Sequence, residues 1–303
     1  MCADSPAPYA RGPRGIDHLV IAARDLDALA RDYRRLGFTV GARNRHPWGT
    51  ENHIIQFAGC FLELIAIGEG ATIQPAARRS YSFGGFLNDY LAKREGLAML
   101  VLESKDAAAD AAAFDAAGIG GFDPFFFERA SRRPDGSEAR VAFTLGFAAM
   151  KQAANAGFFV CQQHEPQNFW NPAFQRHENG VAGVERVTLV ATDPSDCHEF
   201  LGAFIGQRAM RATSLGLEIE TGRGVVEVLS PEGFRFRYGA EPPDAAEGPV
   251  LAGVTLTCER AEAMAPRLEA LGLGRRAVAP GVVSAERPLH GAMLAFSAGG
   301  KRA

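Results

Sequence analysis

The sequence predicts an α+β fold of four βαβββ units paired into two curved-sheet, half-barrel domains. Three observations carry that expectation. A pattern of apolar strand, polar break, helix and glycine-marked exit opens at Gly15, at Gly96, at Gly183 and near Val250. Each opening is followed by three short strand-like stretches. The 34 glycines and 17 prolines among 303 residues imply frequent chain reversals and so many short elements. The intervals between openings are unequal, which reads as duplication and drift rather than a solenoid.

The first unit begins GIDHLVIAARDLDALARDYRRLGFTV. Leu26, Leu29, Tyr33 and Leu36 form a helical stripe that Gly37 is placed to end. Its strands are expected in FTVGARN, NHIIQF and CFLELIAI, separated by HPWGT and by Ala58-Gly59. The second unit has a helix of nearly continuous alanine around Phe114, high in propensity but thin in apolar stripe. Strands are expected in DPFFFERA, ARVAFTLGF and GFFVCQQ, with RRPDGSE as the hairpin turn. The third unit offers RAMRATS, GLEIET and GVVEVLS; the fourth offers RRAVAP, GVVSAE and GAMLAFS. In the fourth helix Met264, Leu268 and Leu271 precede Gly272, so Pro266 must lie in the first turn or kink the helix. The expected boundaries are a polar leader at 1–14, an N-terminal domain at 15–170, a linker at 171–182 and a C-terminal domain at 183–303.

Composition excludes several classes of function. With 47% hydrophobic and 22% charged residues and a net charge of −3, the chain is an ordinary globular one, without the basic footprint of a nucleic-acid or membrane-surface binder. No apolar run approaches the ~18–20 residues of a membrane span. The N-terminus lacks the apolar centre of a secretory signal, and five scattered cysteines show no CxxC spacing, so a cytoplasmic location is expected. No G-x-G-x-x-G, Walker-type, G-x-S-x-G or H-E-x-x-H motif occurs.

The informative residues interrupt faces that should be apolar. Alternation puts Ile16, His18, Val20 and Ala22 on one face of the first strand, and Phe61, Glu63, Ile65 and Ile67 on one face of the last strand of that unit. A buried carboxylate needs a cation or strong donor, and an imidazole converging on it makes a divalent-metal pair. The alternatives are that His18 and Glu63 bond each other, or that Glu63 meets an arginine.

These units, with the "DHLVI" opening and the "FLELI" closing strand, resemble the glyoxalase-like branch of the vicinal oxygen chelate superfamily. RHPWGTENHIIQF is similar to that branch's turn between second and third strands. The resemblance implies a metal ligand on the first strand of a unit and a glutamate on the last, slots held here by His18 and Glu63. It also implies further ligands from a paired unit, and here the chain departs. Those slots fall on Met99 and near Cys161, and the nearest good ligand is His164, which needs a bulge to reach inward. In the third unit the slots hold Arg186 and Glu227, an expected ion pair in place of a metal.

The loop carrying Arg43, Arg45, His46, Trp48, Asn52 and His53 reads either as a substrate-binding rim or as a solvated hairpin. Phe169, Trp170 and Phe174 read either as a lid, with Trp170 touching substrate, or as packing for a linker. His177, His198 and His290 read as surface histidines. The resemblance implies a divalent-metal enzyme (Zn, Mn, Ni or Fe) that chelates vicinal oxygens of a small substrate. Isomerase, lyase, epimerase or ring-cleaving dioxygenase chemistry all fall within it. In that reading His18, Glu63 and His164 hold the metal, Glu63 alternatively leaves it to serve as base, and His46, Asn52, His53, Arg45 and Trp170 contact substrate. The second expectation is a metal-free protein that binds a small molecule in the same cavity. A homodimer is left open; nucleic acid and membrane are not expected partners.

Overall fold

The structure, a computed structural model, describes residues 12–132 and 136–299. Most of the expected leader, and positions 133–135 of the RRPDGSE turn, lie outside the described residues.

The first unit contains β1 (Ile16–Ala22), α1 (Leu26–Arg35), β2 (Asn44–Arg45), β3 (Thr50–Gln56) and β4 (Phe61–Ile67). A helix α2 (Phe83–Lys93) leads to the second unit: β5 (Gly96–Glu103), α3 (Ala107–Ala116), β6 (Phe125–Arg132), β7 (Glu138–Ala148) and β8 (Gly157–Gln163). After a single turn α4 (Pro166–Phe169) come β9 (Val181–Val190), α5 (His198–Ile205), β10 (Arg211–Thr213), β11 (Gly216–Glu220) and β12 (Val225–Leu229). Helix α6 (Pro231–Tyr238) precedes the fourth unit, with β13 (Val250–Cys258), α7 (Ala265–Ala270), β14 (Arg276–Ala279), β15 (Val282–Ser284) and β16 (Met293–Ser297).

The strands form two eight-stranded sheets, β2-β3-β4-β1-β5-β8-β7-β6 and β10-β11-β12-β9-β13-β16-β15-β14. The second order is the first with every number raised by eight, so the four-unit reading holds at the level of topology. Within a unit the first and last strands run parallel; between paired units the first strands run antiparallel, as β1 on β5 and β9 on β13.

The helices form because each has a start signal and a buried stripe. Asp25 accepts from the Ala28 amide to cap α1, and Leu26, Leu29, Ala30 and Tyr33 are buried along it. Gly37, at φ 89°, then turns the chain out of the helix, a conformation that costs a side-chain-bearing residue about 1–2 kcal/mol. Asp106 caps α3 in the same way. Pro266 sits in the first turn of α7, after a 3-10 turn, and no kink is needed. The expected strand at 38–44 shrinks to Asn44–Arg45: Gly41 still donates to the Ile54 carbonyl (2.9 Å), but the ladder does not continue along this exposed edge.

One hydrophobic core runs through both halves between the sheets. There α3 meets α5 at Phe114–Phe204 (ring centroids 5.8 Å), and Arg35 of α1 bonds the Ala270 carbonyl of α7 (2.8 Å). A second, aromatic-rich cluster lies on the other face of the N-terminal sheet, built from Val20, Ile65, Phe83, Met99, Phe143 and Phe159 among others. His177 and His290 are not surface groups. His177 ties the inter-half segment down by accepting from the Thr39 amide (3.0 Å) and donating to the Gln56 carbonyl (2.9 Å), and His290 reaches Asp32 (3.1 Å). Among the described residues no helix is long and apolar enough to cross a membrane.

Candidate active site

The aromatic face of the N-terminal sheet holds a cavity of about 50 Å³ into which β1, β3, β4, β6, β7 and β8 each send side chains. Strand pairing explains the convergence. β1 lies parallel to β4 with His18 opposite Phe61 and Val20 opposite Glu63, so the histidine and the glutamate sit two residue pairs apart on adjacent strands, on the same face. His18 Nε2 is 3.7 Å from Glu63 Oε2, too long for a hydrogen bond, and both side chains are buried.

The His18 ring is oriented from behind. Its Nδ1 donates to Asp17 Oδ1 (2.6 Å), and Asp17 Oδ2 accepts from Gln163 Nε2 (3.0 Å). Adjacent strand residues ordinarily point to opposite faces, but the β1–β5 register slips between Ile16 and His18. That bulge lets Asp17 reach the ring beside it and moves Ile16 into the inter-sheet core instead of the expected face. With Nδ1 donating to a carboxylate, Nε2 is the ring nitrogen turned toward the cavity, and in the neutral imidazole its lone pair points there. The ring stacks on Phe61 (4.2 Å, 13°).

Glu63 is held from the other side. Its Oε1 accepts from Asn52 Nδ2, and Asn52 Oδ1 in turn accepts from Asn44 (3.1 Å). His46 Nε2 lies 3.8 Å from Glu63 Oε1 and 3.4 Å from Asn52 Nδ2, while its Nδ1 bonds Thr50 Oγ1 (2.8 Å). Since an amide nitrogen only donates, Nε2 of His46 accepts and Nδ1 carries the proton. Burial lowers the His46 pKa more than the Glu63 charge raises it. The ring stacks on Trp48 (4.5 Å).

Other nominated residues lie elsewhere. His164 is exposed and bonds Thr144 Oγ1 (2.7 Å). Strand alternation is the reason: Cys161 faces the cavity, Gln163 grips Asp17, and His164 falls on the opposite face with no bulge to bring it back. His53 points to the far side of β3, donating to the Gly41 carbonyl (2.7 Å). Arg45 is exposed, 3.7 Å from Glu51. Trp170 packs on Phe169 (4.9 Å) and lines an outer groove of about 600 Å³ rather than the inner cavity. The register also refines the second unit. Met99 pairs with Gly157, so the slot equivalent to Glu63 is Phe159, two residues before Cys161. Burial pushes the Cys161 thiol well up, so it contributes a neutral wall.

The structure thus brings together His18, Glu63, Asn52 and His46, and adds Asp17, Gln163 and Arg129, which the sequence did not single out. The Asp-His neighbourhood in "DHLVI" was in view, but only the bulge gives it meaning. In the third unit Arg186 Nη1 is 3.0 Å from Glu227 Oε2, the expected ion pair.

His18 Nε2 and Glu63 Oε2 face each other with no hydrogen-bond partner among the described residues, and Asp17 supplies the rear carboxylate typical of a metal-bound histidine. They fit an ion as a pair. Among the described residues, however, no three His, Cys, Asp or Glu side chains form a metal-holding group.

The family described as Glyoxalase-like domain matches residues 16–205. A hypothetical protein from Staphylococcus aureus has a similar structure, with a TM-score of 0.64 at 11% identity over 93% of this chain and 98% of that one. A mutant 4-hydroxymandelate synthase from Streptomyces coelicolor gives 0.54 at 11% identity, over 95% and 94%. At such identity these two likenesses speak for the fold alone. No curated protein matches the chain.

Proposed function

The chain belongs to the glyoxalase-like domain family, and from that premise we propose that it is an enzyme acting on a small oxygen-bearing substrate, with His18 and Glu63 at the reacting centre. One observation carries the reading: His18 Nε2 and Glu63 Oε2, both buried, face each other at 3.7 Å in a cavity, neither with a hydrogen-bond partner among the described residues. A divalent cation (Zn, Mn, Ni or Fe) suits that gap, because its bonds to nitrogen and oxygen are each about 2.0–2.2 Å. When bound, such an ion supplies Lewis-acid polarisation of a substrate oxygen.

The chain's own residues supply the rest. Asp17, steadied by Gln163, holds the His18 ring with Nε2 aimed inward. Asn52 immobilises one oxygen of Glu63 and leaves Oε2 free to take a proton from the substrate. Phe61, Phe83, Phe143 and Phe159 exclude bulk water from that transfer. With His164 outside and His46 held by Thr50 and Asn52, the donors favour proton transfer of the isomerase, lyase or epimerase kind. A ring-cleaving centre would take a second imidazole beside His18.

Elemental analysis after reconstitution with Zn, Mn, Ni and Fe(II) tests the metal reading. Stoichiometric metal in the wild type, lost in His18→Ala, is the expected result. The shortage of a third donor favours a second reading, a metal-free binding protein, which would be selected by ligand binding without stoichiometric metal.

A further inference from the structure

We propose that Arg129 is the anion-recognition residue of this site and that the substrate is an aromatic carboxylate. The proposal rests on reading the cavity as a substrate site, and it names what enters.

Arg129 lies on β6 and lines both the inner cavity and the outer groove; Ile54 and Phe169 are also shared, so these residues mark the threshold. It is the sole Lys or Arg among the residues lining either space. Its one hydrogen bond reaches the carbonyl of its neighbour Ala130 at 3.5 Å, and it makes no ion pair among the described residues. Burial pulls its pKa down, Glu63 countering part of that, but a guanidinium stays charged. Arg186, by contrast, is paired with both Glu218 and Glu227 at 3.0 Å. A partly desolvated, unpaired cation at the mouth of a cavity is stabilised when a ligand brings the opposite charge. The planar fork matches a carboxylate, and one cation matches one anionic charge.

The walls specify the rest of the molecule. Trp48–Phe127 (4.8 Å), Phe127–Phe143 (5.1 Å) and Phe61–Phe169 (5.1 Å) surround the threshold with ring faces and edges. A cavity of about 50 Å³ is too small for a ring, since an engineered void of about 150 Å³ is what takes benzene. The ring therefore rests in the groove against Phe169 and Trp170, the carboxylate sits on Arg129, and the atoms next to the carboxylate reach His18 and Glu63. Trp48, on the inner wall, carries a buried indole N–H without a partner among the described residues, a second donor for a substrate oxygen.

Isothermal titration of the wild type with phenylacetate, phenylacetamide and acetate tests this. Phenylacetate is expected to bind at least about tenfold more tightly than either control. Arg129→Gln should erase the preference over the amide, and Arg129→Lys, which keeps charge without the fork, should fall between. Binding should survive EDTA, because the carboxylate rests on the protein's own cation. Equal affinity for acid and amide, acetate as tight as phenylacetate, or a preference that EDTA abolishes and Arg129→Gln leaves intact would each overturn the proposal. The last result leaves the metal reading standing; absence of metal with the phenylacetate preference retained removes the metal reading and leaves this one.

Discussion

The first and third units use the same strands in the same register and resolve one problem in opposite ways. His18 lies opposite Phe61 and Arg186 opposite Val225; Glu63 lies opposite Val20 and Glu227 opposite Thr188. Each half therefore buries a glutamate at the same point of its sheet. Glu227 is fully satisfied by protein groups: Oε2 accepts from Arg186 and Arg237 (3.0 Å each), and Oε1 accepts from Thr188 (2.6 Å). Glu63 has Asn52 on one oxygen and, on the other, only His18 Nε2 at 3.7 Å, beyond hydrogen-bond distance. The space differs as well. Where the first half has Met99, the second has Gly253, and a Cβ there would lie 2.9 Å from the Tyr238 hydroxyl. Tyr238 is wholly buried, its ring over Gly253 and its hydroxyl 2.6 Å from Thr188 Oγ1, the residue that also bonds Glu227. A buried carboxylate whose charge is answered within the chain is part of the scaffold, and one left half-answered beside a cavity is a site.

That contrast can be broken by stability measurements first. Glu227→Gln leaves Arg186 and Arg237 with Glu218 as their one carboxylate and should cost about 3 kcal/mol in urea unfolding, whereas Glu63→Gln, in a cavity where the carboxylate has no cation paired to it, should cost about 1 kcal/mol or less. Similar losses at both positions would dissolve the distinction. Gly253→Ala should then cost about 1–3 kcal/mol, because the new methyl meets the Tyr238 ring, with the loss read as a lowered unfolding midpoint. Asp17→Asn should weaken metal binding or turnover about 10- to 100-fold while barely moving the unfolding midpoint; a change confined to stability would make the Asp17–His18 pair scaffold too.

The smallest effects separate the halves by pH. Burial holds His46 below its usual 6.5, so the unfolded chain binds more protons and stability falls as pH drops from 6.5 through the folded value. His46→Gln should flatten that part of the profile. Burial alone would raise Glu218, but Arg186, Arg211 and Arg237 together hold it below 4.5, so its contribution persists above 4.5 and is lost only in stronger acid. A profile with the Glu218 loss at higher pH than the His46 loss would contradict both assignments.

Much of the fold was legible because it repeats. Strand-helix-strand punctuation by Gly37, Gly118 and Gly206 is local, and local signals survive in sequence. The helices α2 and α6 were not visible: Gly84 and Gly85 in one and Pro231 and Gly233 in the other weaken the periodic signal. At the site, His18 and Glu63 were legible as polar residues on apolar faces. Arg129 was not, because β6 carries Glu128, Arg129 and Arg132 as an ordinary hairpin would, and nothing local tells which one turns toward a cavity.

By itself the sequence determined the unit, its four copies, and which strand positions carry His18, Glu63, Arg186 and Glu227. Those follow from periodicity and glycine placement, which are short-range. Tertiary structure alone decided that Asp17 joins His18 through a bulge, that His164 faces outward, that Tyr238 packs over Gly253 and that Arg129 stands at the threshold of the cavity. The reason is physical: register and strand twist set the direction in which a side chain leaves the sheet, and both are properties of paired strands rather than of any single one.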